Sequence, residues 1–520
     1  MKCLVQGWSH LSIFTRWLLI LFALNGVLLN VLLIKIPWNP GYSAVFNALY
    51  FIEGNAAADS WSPMDNALDH IHKSPDTPIY KEMFFNKGTK FQYLPSSLLI
   101  SEMARKLPAI ASNGIIWQSV ISWFSVIAIG GLATVLLYYG AWYNKNSGSF
   151  PTPKSDVLAC FFVITLITLA YFFLTRHFIL TQTWKFPGIA SNSFIWLNVI
   201  SWFSMLAIGG LSLMLLHCGT QYTKDPGLHP TSITDIAARY FVIMLIILTF
   251  YPLTTSFILG QIQTWLTLLG AASLLAWECG SKKTVGLFIG LACIVKPHWS
   301  GILLWAIMRR QWGMVTTCLI TMIALISLSI YSFGIHHYLD YMNVLSFLSR
   351  HGESYFSNQS VNGLVNRMLF IGNNLNWIGN SFPPFNPIVY TATVVSSVLL
   401  LGMALFWKWG NPTGAGTIEL AIILLSITIA SPIAWVHHYA ILLPIFAYIA
   451  PIVFYRRRAR KGIITCLIIA FVLASNKLGI ANLLAATPLN FLQSYLFFAG
   501  LLTLLILYQL SWKEADKVVN

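Results

Sequence analysis

Apolar runs of about twenty residues recur along this chain, and they constrain its fold more than any other feature. A helix needs about 20 apolar residues to cross a bilayer, and such runs follow one another from Trp17 to Trp512. Charged residues make up only 9% of the 520, against roughly 25% in soluble domains. So few charges cannot clothe a water-facing surface, so lipid must cover most of it. Inside lipid every backbone polar group has to be satisfied within the segment, which favours helices. The predicted fold is an all-α polytopic membrane protein of about 12–14 transmembrane segments, forming one domain over residues 1–520. The first run, Trp17 to Ile36, has no small-residue cleavage site straight after it and reads as a retained span.

The formal charge of +15 would suggest nucleic acid in a soluble protein. Here it reads as basic cytoplasmic loops obeying the positive-inside rule. The run Arg456-Arg457-Arg458-Ala459-Arg460-Lys461 fixes one cytoplasmic point. Working outward from it, the predicted spans are Ile463–Asn482, Phe491–Trp512, Trp435–Tyr455, Glu419–Ser431 and Phe385–Trp407. Both termini fall inside, and the stretches Trp38 to Asn113 and Gly334 to Pro384 fall outside. Cys160, Cys279, Cys293, Cys318 and Cys466 are scattered through or beside apolar runs with no CxxC pair. They read as apolar fillers, with no metal site and no disulfide framework.

Two features break the regular pattern. Between the basic pairs Lys282-Lys283 and Arg309-Arg310 the apolar run is interrupted by Lys296-Pro297-His298. Proline ends a helix at its preceding residue, so we expect a broken helical hairpin near Pro297. The second feature is a repeat. Lys106 to Asn113 matches Lys185 to Asn192, Val120 to Ser125 matches Val199 to Ser204, and Gln182 maps to Gln261, always 79 residues apart. A constant offset across two spans indicates tandem duplication of a helix pair, 106–184 and 185–263. Two copies are too few for a solenoid.

The polar residues that invite chemistry lie in the outer stretches. The first holds Asp59, Asp65, Asp69 and Asp76 with Trp61, His70, His72 and Tyr80. Asn66 to Ile71 has a helical period that suits the membrane surface, and Phe91-Gln92-Tyr93-Leu94-Pro95 leads into a short apolar helix. A lysine inside an apolar stretch costs about 2.5–3.5 kcal/mol, so Lys296 implies a polar cavity or an anionic partner. Ser431-Pro432-Ile433-Ala434-Trp435-Val436-His437-His438-Tyr439 breaks two apolar runs. Adjacent histidines on a helix point about 100° apart, and no carboxylate or thiol cluster accompanies them. Hydrogen bonding to phosphate or to an acceptor hydroxyl suits them better than a metal. Gly260-Gln261 opens a span whose N-terminus can face an anion. Arg350, Asn358, Gln359 and Arg367 supply further donors in the second outer stretch.

In chain order these are an Asp in the first outer loop, an aromatic-Tyr-Pro entry, Gly-Gln, Lys-Pro, Asn-Gln-Ser and Ser-Pro-x-x-Trp-x-His-His. This ordered set resembles glycosyltransferase family 87, the polyprenyl-phosphate-mannose-dependent α-mannosyltransferases with the GT-C helical fold, from about Trp17 to Tyr455. The resemblance implies a hexosyltransferase of the bacterial inner membrane with its active site on the periplasmic side. Its donor would be a polyprenyl-phosphate sugar and its acceptor a glycan or glycolipid, with no cofactor, no metal and no nucleic acid. It implies Asp59 as catalytic base, with Asp65 and Asp69 as rivals. Lys296, His298, His437, His438, Gln261 and Arg350 would line the donor phosphate and sugar. Tyr93, Asn358, Gln359 and Trp435 would face the acceptor or the cavity. The chain departs from the family pattern where Leu94 precedes Pro95, where Gln263 replaces an Asn, and where the extra helix pair is inserted.

Two other classes of function use similar features. A lipid or solute transporter or flippase also needs broken helices and polar residues at depth. Against it stand the direct rather than inverted repeat and the clustering of polar residues at one face. A non-catalytic assembly partner would tolerate joint loss of Asp59, Lys296 and His437.

Overall fold

The structure is a computed structural model that describes residues 12–25, 57–106, 201, 204–205, 207–216, 218, 233–378, 382–408, 415–455 and 461–519. Among these residues there are helices and no strands. In chain order they are α1 (Ile13–Phe22), α2 (Trp61–Lys73), α3 (Leu98–Lys106), α4 (Ile233–Thr249), α5 (Tyr251–Ile258), α6 (Gln263–Glu278), α7 (Lys282–Cys293), α8 (Ser300–Met308), α9 (Trp312–Phe333), α10 (His336–His351), α11 (Val361–Met368), α12 (Pro387–Phe406), α13 (Thr417–Ile429), α14 (Leu442–Tyr455), α15 (Lys461–Ser475) and α16 (Tyr495–Val519). A further short apolar helix covers Ala207–Leu216.

The chain is an all-α membrane protein. Four described segments are long and apolar enough to cross a bilayer: Trp312–Phe333, Pro387–Phe406, Val436–Phe454 and Pro488–Trp512. The bent pair Phe241–Thr249 and Tyr251–Ile258 makes a fifth if it is one span. The expected set of twelve to fourteen includes segments outside the described residues, as do most of the duplicated helix pair, the Arg456–Arg460 anchor and Cys160.

Burial sorts the bundle into centre and rim. Every residue of α13 is buried, and 94% of the Val436–Phe454 window is buried, against 22% for α9 and 17% for α12. The helices α13 and α14 are therefore central, while α9 and α12 carry the lipid-facing surface. A helix that is buried all round must pair whatever polar groups it holds. Glu419 does so: its carboxylate accepts from Lys408 Nζ at 3.0 Å, Ser511 Oγ at 2.5 Å and the Gly416 amide at 2.8 Å. On the rim, α7 lies unusually close to α9. A Cβ on Gly286 would meet the Met314 carbonyl at 2.3 Å, and one on Gly290 would meet Thr321 Cβ at 2.8 Å. Small residues four apart let helix backbones approach where no hydrophobic force drives association in lipid.

The break at Lys296-Pro297 falls where the sequence places it. Helix α7 stops at Cys293, Lys296 is extended, and a single 3-10 turn over Pro297–Trp299 leads into α8. Of the predicted spans, Phe385–Trp407 is realised as Pro387–Phe406 and Glu419–Ser431 as Thr417–Ile429. The span expected over Ile463–Asn482 ends early, at Ser475. There Asn476 donates to the Val472 carbonyl at 2.8 Å and to Asn25 Oδ1 at 2.7 Å. This side chain caps the helix and ties it to the segment after α1, and a 3-10 turn over Gly479–Leu484 follows.

Residues 57–106, expected outside, fold onto this bundle. Helix α2 buries Trp61, Met64, Ala67, Leu68 and Ile71 on one face, the 3.6-residue period of an amphipathic surface helix. Tyr80 stacks on Phe91 at 5.2 Å, tilts against Tyr341 of α10 at 5.1 Å, and donates its hydroxyl to the Tyr93 carbonyl. Asp340 on α10 accepts the Tyr80 and Lys81 amides, both at 2.9 Å. The outer stretch is thereby held between α10 and the turn that joins α5 to α6.

Candidate functional site

Gly260 organises the first half of the site. Its φ is +62°, and a Cβ there would sit 1.8 Å from the Ala57 carbonyl oxygen. Only glycine takes this conformation freely and lets the two backbones approach this closely. The segment carrying Asp59 lies along the turn through three bonds: Ala57 N–H to Ile258 O at 2.7 Å, Asp59 N–H to Leu259 O at 3.0 Å, and Ser60 N–H to Gly260 O at 3.3 Å.

This docking sets Asp59 beside Gln261, whose Nε2 donates to Asp59 Oδ2 at 3.4 Å. Asp59 is exposed at the rim, yet the surrounding protein still raises its pKa by desolvation, which the Gln261 bond partly offsets. Gln261 Oε1 lies 2.9 Å from Ser60 Oγ and 3.4 Å from the Tyr93 hydroxyl. Ser60 Oγ is also 2.7 Å from that hydroxyl and accepts the Ile262 amide at 3.0 Å. Burial pushes the Tyr93 phenol up to about 12, so it stays protonated.

The rival carboxylates are committed elsewhere. Arg105 of α3 binds Asp65 through Nε at 2.7 Å and through Nη2 at 2.5 Å, and it reaches Asp69 at 2.8 Å. A guanidinium fork satisfied by two carboxylates is a structural clamp between α2 and α3. Among the described residues, no such cation is paired with Asp59.

The second half of the site gathers at the α7–α8 break. Lys296 Nζ donates to Gln263 Oε1 at 2.9 Å and contacts His438 Nε2 at 2.7 Å. With Lys296 as an ammonium, which has no lone pair, the imidazole accepts and carries its proton on Nδ1. His437 and His438 are 6% and 8% exposed, with their rings edge to face at 4.8 Å. His298 stands exposed beside the same bend, within electrostatic range of Lys296 and His438.

The two halves share a frame. Gln261 serves Asp59, and Gln263, two residues on in the same turn, serves Lys296. The Leu94 amide, next to Tyr93, bonds the Val295 carbonyl at 3.4 Å, and Ser96 Oγ bonds the Ile294 carbonyl at 2.5 Å. Asp59 and Lys296 make no direct contact with each other.

Other expected positions fall outside this constellation. Arg350 is exposed in the last turn of α10, with no bond to the cluster. Asn358 and Gln359, expected at the cavity, are fully buried. Asn358 donates to the Glu353 and Pro432 carbonyls and accepts the Ala434 amide. Gln359 donates to the Phe356 and Gln493 carbonyls and accepts the Leu496 and Phe497 amides. Their amides are spent on backbone, where they brace the loop that carries the histidines. Trp435 is half-buried in that loop, and its ring lies 6.4 Å from that of Tyr355. Arg367, also fully buried, pins the loop by donating to the Ser354, Tyr355 and Asn358 carbonyls.

Two residues of the constellation, Gln263 and Ser60, were not among the expected site residues, although Gln263 stands where the family pattern has an Asn. Gln263 carried a signal as a polar residue in the first turn of an apolar helix. Ser60 carried none, since a serine after an aspartate in a loop is unremarkable. Among the described residues, no group of three His, Cys, Asp or Glu side chains is placed to hold a metal ion.

Residues 193–432 match the model of glycosyltransferase family 87. No curated protein matches the chain. The matched stretch contains Gln261, Gln263, Lys296, His298, Asn358 and Gln359. Asp59 and Tyr93 precede it, and Trp435, His437 and His438 follow it.

Proposed function

Because residues 193–432 match the model of glycosyltransferase family 87, we propose that the chain transfers a hexose, mannose in our reading, from a polyprenyl-phosphate donor to a glycan or glycolipid acceptor. Transfer takes place at the outer face of the bacterial inner membrane and inverts the anomeric configuration. The observation that carries this reading is the placement of Asp59. It is docked by the Gly260 turn and aimed by Gln261, while Asp65 and Asp69 are both taken up by Arg105.

In the reaction we propose, the acceptor hydroxyl attacks the anomeric carbon and gives its proton to Asp59. The bond from that carbon to the phosphate oxygen breaks, and its electron pair leaves with the phosphate. Lys296 spends two of its three N–H groups on Gln263 and His438, so one remains for the phosphate oxygen where charge develops. His438 and Gln263 hold the ammonium in place, and His298 and His437 complete the polar wall. Sugar identity and membrane orientation rest on the family resemblance and on the positive-inside rule.

The test is transfer of labelled mannose from polyprenyl-phosphate mannose by membranes containing Asp59→Asn. Loss of transfer with normal insertion is the expected outcome. Full activity in that variant would remove the base from the scheme.

A further inference from the structure

Ser60 sits at the centre of the hydrogen bonds behind Asp59. A serine hydroxyl has one proton and two lone pairs. Ser60 Oγ has three partners: the Ile262 amide at 3.0 Å, the Tyr93 hydroxyl at 2.7 Å and Gln261 Oε1 at 2.9 Å. The amide can only donate, so it takes one lone pair. Gln261 Oε1 can only accept, so it takes the proton. Tyr93 must then donate to the remaining lone pair. The bonds run one way, from the Tyr93 hydroxyl to Ser60, from Ser60 to the Gln261 carbonyl, and from the Gln261 amide nitrogen to Asp59 Oδ2.

The Asp59 end fixes the orientation of the Gln261 amide. Turned over, it would bring its carbonyl oxygen against the Asp59 carboxylate, acceptor against acceptor. In the observed orientation that repulsion is absent, and the carbonyl end is held by the hydrogen bond from Ser60.

We propose that Ser60 is a positioning residue for the transfer reaction, which locks the Gln261 amide so that its N–H holds one oxygen of Asp59 and leaves the other oxygen to take the acceptor proton. This rests on Asp59 being the base.

The hydrogen bond from Gln261 favours the charged carboxylate against the pull of burial. Other titratable groups on the elements packed against this segment are Tyr93, which stays a donor, Asp65 and Asp69 held by Arg105, and His70 and His72 on α2, the latter paired with Glu102 at 3.5 Å. Among the described residues none of these supplies a cation to Asp59, so the Gln261 amide is the group that favours its charged form. In Ser60→Ala, Gln261 Oε1 retains the weak Tyr93 contact at 3.4 Å, and the carbonyl end of the amide loses the bond that held it in place.

The test reads Asp59 itself. Infrared difference spectroscopy of the purified full-length protein follows the protonated carboxyl stretch with pH, with Asp59→Asn as the blank. The Asp59 titration should move up by about one pH unit in Ser60→Ala and return in Ser60→Thr, which keeps a hydroxyl. Transfer from polyprenyl-phosphate mannose should fall about 10- to 100-fold in Ser60→Ala. Its acid limb should shift upward by the same amount, with little change in KM for the donor. Tyr93→Phe should cost less, since Ser60 still donates to Gln261.

An unchanged Asp59 titration in Ser60→Ala overturns the proposal, and so does failure of Ser60→Thr to restore a shifted one. The premise fails separately. If Asp59→Asn transfers sugar normally, Asp59 is not the base, and Ser60 loses its role with it. If Asp59→Asn is inactive while the Ser60→Ala titration and acid limb match the wild type, only the Ser60 assignment falls.

Discussion

Replacing Gly260 by alanine should disable the site without dismantling the bundle. The new Cβ would lie 1.8 Å from the Ala57 carbonyl oxygen and 2.6 Å from its carbon, in a residue with φ +62°. Ordinary contact begins at about 3.5 Å, so the Ala57–Ser60 backbone has to retreat by roughly 1.7 Å from its present 1.8 Å. The left-handed conformation costs a non-glycine residue about 1–2 kcal/mol. The retreat also stretches the three backbone bonds that dock the segment, each contributing about 1 kcal/mol. The local cost is thus about 4–5 kcal/mol. It is confined to a loop whose loss leaves α13 and α14 packed, so the protein should still insert and fold. Catalysis is more sensitive, because Asp59 rides on the displaced segment. A displacement of about 1 Å can cost 10²-fold in rate, so transfer should fall at least about 100-fold. The assay is transfer of labelled mannose from polyprenyl-phosphate mannose in membranes, with matched protein levels and a thermal-unfolding control. Near-wild-type transfer would show that the docking of 57–60 against Gly260 does not position the reacting carboxylate.

Two further outcomes follow from the same geometry. In Asp65→Asn the Arg105 clamp is weakened while Asp59 is untouched, so transfer should persist with the acid limb of the wild type; loss of transfer in a normally inserted variant would make Asp65 the base. His337 of α10 is fully buried and accepts the Ile79 amide through Nδ1 at 3.4 Å, and burial holds its pKa down at about 4. Because the folded form keeps this imidazole neutral, attachment of the outer stretch is at full strength above about pH 6.5, the ordinary histidine value. It weakens as pH falls from there towards about 4, by up to about 3 kcal/mol. Amide hydrogen exchange over residues 76–93 should therefore quicken at pH 5 beyond its intrinsic change, and His337→Phe should abolish the difference; equal protection at both values would refute it.

The membrane class and the positions of individual helices were legible in the sequence for a simple reason. Lipid demands long apolar runs and penalises charges, and both are properties of contiguous residues. That is why Pro387–Phe406 and Thr417–Ile429 lie within two residues of their expected bounds. The break at Lys296-Pro297 was readable because proline acts on its own neighbours. The early end of α15 was not, since the Asn476 side chain that caps it also reaches Asn25, 451 residues away.

The site divides along the same line. Sequence singled out Asp59, Gln261, Lys296 and His438 as unusual polar residues near apolar runs, but it left Asp65 and Asp69 open as rivals and placed Asn358 and Gln359 at the cavity. Only the fold shows which partners these side chains meet. Arg105 claims the rival acids, and buried carbonyls and amides claim the two side chains. Hydrogen-bond direction is likewise invisible in one dimension. Ser60 has meaning only because Tyr93, Gln261 and Ile262, up to 202 residues away, converge on one oxygen. Composition and hydropathy act through the solvent each segment meets and so are fixed by the chain itself, whereas the assignment of each polar atom depends on which distant neighbour folding brings within about 3 Å.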